Sequence, residues 1–123
     1  MSGRKDVLFP FTLVAAVSMG GDITSTPIDV QNIDNVGLQV SWTSANAIGV
    51  ISVQGSLDYK PTNPPTAGTW YDLTFDPALT QPASDNGGYL INLNQVPYTW
   101  LRLKYTRTSG TGTLTAYACG KMV

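Results

Sequence analysis

Between residues 100 and 119 apolar and polar side chains alternate twice with a period of two. Leu101, Leu103 and Tyr105 interleave with Trp100, Arg102 and Lys104. Beyond a Ser-Gly-Thr-Gly turn, Leu114, Ala116 and Ala118 interleave with Thr115, Tyr117 and Cys119. Successive side chains of a strand point to opposite faces, so each segment has one oily face and one cationic or aromatic face. The short turn between them predicts a β-hairpin.

The same period recurs along the chain. Val7, Phe9, Phe11, Leu13, Ala15 and Val17 make an odd-numbered apolar face, the expected first strand. Pro10 lacks an N–H and assigns that strand to a sheet edge or a bulge. Thr26, Ile28 and Val30 predict a short second strand, and Val36, Leu38, Val40 and Trp42 a third. Residues 48–59 predict a fourth with Ile51, Val53, Leu57 and Tyr59 facing in, and Gly55 marks a bulge or a close approach within it. Residues 60–68 hold three prolines and read as a stiff surface loop. Trp70 to Phe75 predicts a fifth strand; Tyr89, Ile91 and Leu93 predict a sixth. With no amphipathic helix and turns every 8–15 residues, the expected fold is all-β: an antiparallel β-sandwich or jelly roll of about eight strands. Residues 1–21 form an N-terminal arm and first strand, and residues 22–123 the sandwich domain.

Composition narrows the chemistry. The 123 residues include no histidine and no glutamate, and charged residues make up 12%, about half the usual share. Fifteen threonines, nine serines and twelve glycines suit strands and tight turns. A surface of hydroxyls tolerates close neighbours; a small secreted domain would share the habit. The apolar run after Arg4 and Lys5 resembles a signal peptide, but Asp6 and Pro10 interrupt that pattern, and the run is too short to span a membrane. The net charge of −1 is segregated. Residues 1–21 sum to +1, residues 22–97 to −6 and residues 98–123 to +4. The basic end either meets an acidic edge of another copy or pairs with acidic strands of its own domain. The single Cys119 forms no internal disulfide, fits synthesis in a reducing cytoplasm and reads as a small buried hydrophobe.

Without histidine or glutamate only aspartates remain for acid–base work, and Asp72 and Asp76, split between a strand and a loop, are not brought together by their spacing. Ser41, Ser44 and Ser52 have no base partner or nucleophile-elbow sequence. An enzyme is not expected, nor any cofactor. Asp29-Val-Gln-Asn-Ile-Asp34 departs from a calcium loop at Gln31 and Ile33, and reads as a structural turn. One cysteine and no histidine exclude a zinc site. Tyr98, Trp100, Arg102 and Lys104 have the interleaving that stacks bases, yet seven basic residues and a pI near 4.9 argue against nucleic acid. Trp70, Tyr71, Trp100 and Tyr117 offer flat faces for a glycan, or fill a core or a subunit contact.

The strings GDITSTPIDVQNIDNVGLQVSWTS, VISVQGSLD, TWYDLTF and GYLINLNQVPYTWLRLKYTRTSGTGTLTAYACGK cover most of the chain from Gly21 onward. Together they resemble small virion proteins of tailed bacteriophages, the decoration or cement proteins on the outside of the capsid. The resemblance implies a partner, the major capsid protein lattice, and a homo-oligomer, a trimer being favoured. It implies a place on the capsid surface after synthesis in the host cytoplasm, with no nucleic acid or membrane partner. The candidate interface is then Arg4, Lys5, Phe9 and Phe11 of the N-terminal segment, adding a strand to a neighbour, with Trp100, Arg102, Lys104 and Arg107 of the basic end. A tail- or fibre-associated protein, or a carbohydrate-binding sandwich, is the alternative.

Overall fold

The clean alternation of Val36, Leu38, Val40 and Trp42 becomes β4 (Asn35–Thr43), with all four side chains buried and the intervening residues outside. A computed structural model describes the protein at residues 7–31, 33–62, 65–75, 78–93 and 98–121. Along these residues run β1 (Val7–Ser18), β2 (Ile23–Thr24), β3 (Ile28–Asp29), β4, β5 (Ile48–Ser56), β6 (Tyr71–Asp72), β7 (Gly87–Leu93), β8 (Trp100–Ser109) and β9 (Thr113–Lys121). Arg4 and Lys5 lie outside the described residues, as does the side chain of Phe9.

Two antiparallel sheets face each other. The first has the order β1-β9-β4-β7; the second has β2-β8-β5-β6, with β3 also on β8. Because β2 and β3 follow the same flank of β8, at Tyr105–Lys104 and at Leu101–Trp100, they act as one strand interrupted near Pro27. The pairs β1·β9, β2/β3·β8, β4·β7 and β5·β6 are the successive rungs of a rolled-up double ribbon, the jelly roll. Counting β2/β3 once gives eight strands. The core lies between the sheets: Val36, Leu38, Val40, Trp42, Leu114 and Ala116 from one, Ile51, Val53, Leu101, Leu103 and Tyr105 from the other. Each such large side chain contributes about 1.5–3 kcal/mol by leaving water.

The alternation of β8 and β9 is as expected, but their pairing is not. They do not form a hairpin. β8 belongs to the second sheet and β9 to the first, so their oily faces meet across the core. The connection is held away from a hairpin by its neighbours. Thr111 N donates to Asn46 Oδ1 (3.0 Å), Ser44 Oγ to Thr111 O (2.6 Å) and Met19 N to Gly112 O (2.8 Å). Gly110 has φ +78°, and a Cβ there would collide with the Asn46 carbonyl, so glycine is required. A period of two orients side chains without choosing the strand's partner.

The first strand also departs from its pattern. β1 is an edge strand with register shifts on β9 between Leu8 and Phe11, Thr12 and Val14, and Val14 and Val17. The edge and the bulge expected of Pro10 are thus both found. The bulges, with Ala16 at φ +52°, break the odd-numbered face: Leu13 and Val14 are both buried, while Phe11, Ala15 and Val17 are exposed.

Three further expectations are corrected. The segment Thr26–Ile28–Val30 is strand only at β3, with Val30 beyond it. The fifth strand shrinks to Tyr71–Asp72, since Thr69 and Trp70 are held by the loop before it. Leu57 lies past the end of β5 and is exposed.

The free edge of β5 is sealed without a strand. Gln81 accepts a hydrogen bond at Oε1 from Ile51 N and donates from Nε2 to Ile51 O (3.1 Å), so its amide stands in for a peptide group. Beside it Gly49 N donates to Pro82 O (3.4 Å), and Ala83 bridges Ile48.

Candidate functional site

The two polar faces that the sequence joins in one hairpin lie on opposite sides of the sandwich. Trp100, Arg102 and Lys104 project from the outer face of the second sheet; Thr115, Tyr117 and Cys119 project from that of the first. They make two separate surfaces.

On the second sheet, strand register sets Trp100 beside Ser56 and Asp29, Arg102 beside Gln54, and Lys104 beside Ser52 and Thr24. Arg102 Nε donates to Gln54 Oε1 (2.8 Å), and Gln54 Nε2 donates to Asp72 Oδ1 (2.8 Å). The Arg102 guanidinium lies 4.3 Å from the Trp70 ring centroid, a cation–π contact. Partial burial there draws its pKa below the ordinary arginine value. Tyr59 joins the cluster, its ring 5.5 Å from that of Trp70 and 4.9 Å edge-on to that of Trp100. Arg107, exposed, donates from Nε to Gly110 O, while its backbone N–H bonds Asp22 Oδ1 (both 2.8 Å). So Arg102 is bonded within the domain, and Asp22, Asp29 and Asp72 accompany the basic strand.

A cleft of about 470 Å³ opens at the end of β5, lined by Gly55, Ser56, Leu57, Asp58, Tyr71 and Tyr98 among others. Its floor is the Tyr98 ring over Gly55, where a Cβ would meet the ring at 3.1 Å; what comes close to Gly55 is this side chain and not the neighbouring backbone expected from the sequence. Leu57 and Tyr71 at its rim are 71% and 72% exposed. Asp58 accepts at Oδ1 from Thr69 N (2.7 Å) and Ser56 Oγ (2.9 Å), and these bonds hold its carboxyl below the usual pKa. The cleft offers an apolar seat beside a carboxylate.

The outer face of the first sheet has a different character. Pairing aligns Leu90, Gln39, Tyr117 and Thr12 in one row, Asn92, Gly37 and Cys119 in the next, and Gly88, Ser41 and Thr115 in a third. None of these residues is charged; Lys121 pairs with Asn35 at the corner of the face. Leu90 is 73% and Tyr117 43% exposed. They wall a hollow of about 460 Å³ with Gln39 and Cys119, over a floor at Gly37. Cys119 is exposed, contrary to its expected burial, because β9 turns Ala118 and Gly120 inward and Cys119 out.

Of the proposed interface residues, Phe11 lies on the β1 edge of the first sheet, whereas Trp100, Arg102, Lys104 and Arg107 are carried by β8 of the second. Trp70 and Trp100 come together through Tyr59, whereas Tyr117 is on the other face. The Asp29 turn is a local one, with Asp29 Oδ1 accepting from Gln31 N (2.9 Å); Asp76 lies outside the described residues. Among the described residues no three His, Cys, Asp or Glu side chains cluster as metal ligands, and no helix is long and apolar enough to cross a membrane. Sequence reasoning missed Gln54, Tyr59, Gln81 and Leu90. Only Leu90 carried a signal: it is a large apolar residue on the polar parity of its strand.

The sequence matches no protein-family model and no curated protein. Solved structures do match. The SPBc2 prophage-derived protein YomS aligns with a TM-score of 0.59 at 10% identity, over 97% of each chain. A chain of the infectious bursal disease virus Gx strain aligns with a TM-score of 0.56 at 13% identity, over 98% of this chain and 33% of that one. The VP2 subviral particle of infectious bursal disease virus gives 0.53 at 12%, over 97% and 33%. This chain thus spans about a third of the length of those two viral chains and nearly the full length of the prophage-derived one. At such identities the fold is what is shared: an all-β jelly roll.

Proposed function

We propose that this protein is a structural component of a virus particle, of the capsid decoration or cement type, which binds the outside of the major capsid protein lattice and reinforces the shell through protein–protein contacts. The observation that carries the reading is the jelly roll shared end to end with a prophage-derived protein and, as one third of a longer chain, with a virus-particle protein. The surfaces support it. The central rows of one broad face hold no charge, and a cleft is rimmed by exposed Leu57 and Tyr71. A protein acting this way needs complementary surface and no reactive group, and it stabilises the shell by binding only the assembled form. Attachment uses Trp100, Lys104 and the adjoining loops, with the N-terminal segment carrying Arg4 and Lys5 reaching a neighbour. A tail- or fibre-associated place is the second reading. Glycan binding is less favoured, because Arg102 and Tyr59 already pack against the Trp70 ring.

The test is sedimentation of particles from the virus that encodes the chain. The protein is expected in filled capsids in fixed stoichiometry, and particles lacking it are expected to release their genome at a lower temperature. Recovery only with tails would move it to the second reading; recovery with neither would end the virion reading.

A further inference from the structure

Gly37 has no explanation inside the fold. It sits in the middle of β4, between Val36 and Leu38, where glycine lowers strand stability relative to a residue with a side chain. Its backbone is not in the left-handed region. A Cβ built there would touch only the Cys119 carbonyl at 3.8 Å, an ordinary contact. By contrast Gly49, Gly87 and Gly110 are each required by a neighbour that a Cβ would strike. A strand glycine free of internal need marks a place where something outside comes close.

The surroundings say what kind of object fits. Gly37 is the floor of the hollow on the first sheet, and the wall residue Leu90 is the most exposed large apolar side chain of that face. A knob therefore stands beside a hole of matching chemistry. That is the layout a two-fold contact needs, since each copy must present both parts on one patch. The absence of charge points the same way. Two-fold pairing brings like residues near each other, and the three rows around Gly37 hold no charge to repel, Lys121 lying at the corner of the face, whereas the second sheet presents Arg102, Lys104, Asp29 and Asp72. Four strands about 4.8 Å apart and seven residues long give a projected face of roughly 450 Å². Its corrugated accessible area is larger than this projection, which sets the contact at the small, weakly associating end of protein interfaces.

We propose that the outer face of the first sheet is a self-pairing surface on which a second copy of this chain docks about a two-fold axis, Leu90 of each copy seated in the other's hollow over Gly37. The proposed dimer is an alternative to the trimer favoured from the sequence. It stands independently of the virion reading, because it concerns the purified chain alone.

Sedimentation velocity of the full chain through the micromolar range tests it. The wild-type protein is expected to dimerise. Gly37→Val fills the hollow from inside, and Leu90→Thr removes the knob; each is expected to raise the dimer dissociation constant at least about tenfold. Thermal melting of the monomeric fraction should be unchanged or, for Gly37→Val, slightly higher, because valine favours strands. Gln39→Glu, which sets two carboxylates near the axis, should act in the same direction without altering packing. A wild-type chain that stays monomeric, that sediments as a trimer, or that dimerises equally well with Gly37→Val and Leu90→Thr would overturn the proposal.

Discussion

Replacing Gln81 by alanine should unseal the edge of β5. The side-chain amide bonds both the N–H and the C=O of Ile51, a residue whose own side chain is in the core. Two hydrogen bonds of ordinary net worth, ~0.5–1.5 kcal/mol each, are lost. Because the site is only partly buried, water reaches one or both groups and the full penalty for unpaired groups is not incurred. The expected loss is about 2 kcal/mol, or roughly 6–12 °C in Tm for a domain of this size. Gln81→Glu separates the two bonds. It keeps the acceptor for Ile51 N–H but sets a carboxylate against Ile51 C=O, so it should be at least as damaging at pH 7 and recover as the carboxyl is protonated. Urea unfolding should show a lower midpoint with an unchanged slope. Amide exchange read by NMR should show Ile51 losing protection more than Leu73, whose N–H donates instead to Val53 O (2.8 Å). A Gln81→Ala protein within about 0.5 kcal/mol of wild type, with Ile51 still protected, would refute the idea that a side chain replaces a strand here.

The chain should also be sensitive to alkali. Burial pushes the Tyr89 phenol from 10.0 up to about 12 and raises Tyr98 and Tyr105 as well. The native state then holds the proton more tightly than the unfolded chain, so stability is intact below pH 10 and falls between pH 10 and about 12. The Tyr89 share is about 1–2 kcal/mol after allowing for solvent access, and Tyr89→Phe should remove it from a pH series of unfolding curves. Gly49→Ala places a Cβ 2.5 Å from the buried Tyr105 hydroxyl and 2.6 Å from the Thr106 carbonyl. A loss of about 2–3 kcal/mol in urea unfolding is expected; a neutral result would mean that the register shift of β5 on β8 between Ile48 and Gly49 relaxes freely. Ala16→Gly relieves a left-handed alanine and should be neutral to stabilising by up to ~1 kcal/mol, whereas Ala15→Gly should destabilise. Equal losses at the two positions would show that the β1 bulge is not where the backbone places it.

Legibility in the sequence followed what a period of two can and cannot encode. Val36 to Trp42 and Leu101 to Tyr105 were readable because each strand is straight and buried on one side, so parity alone sorts the residues. Parity failed in β1, where three register shifts move adjacent Leu13 and Val14 inward together. It was silent on partners, which is why β8 and β9 looked like a hairpin although each closes a different sheet. Pairing depends on contacts far apart in sequence, such as Asn46 with Thr111. The basic strand was legible, but its environment was not. Gln54, Asp72 and Tyr59 reach Arg102 and the two tryptophans only through the β5·β6 and β5·β8 registers. The uncharged face was hidden for a similar reason: its rows gather residues from four strands spread over more than a hundred positions.

Since β1 has β9 as its neighbour and β2/β3 lie on β8, neither layer can close until β8 and β9 have been synthesised. Until then the oily stripes of β1 and β2/β3 have no neighbouring strand, and folding proceeds by joining segments far apart in sequence. Such non-local closure belongs to the millisecond-to-second range. A premature stop before residue 113 would remove the middle of one layer, leaving β1 and β4 with no strand between them, so a shortened product should go to proteolysis or aggregation and not persist as a smaller folded protein.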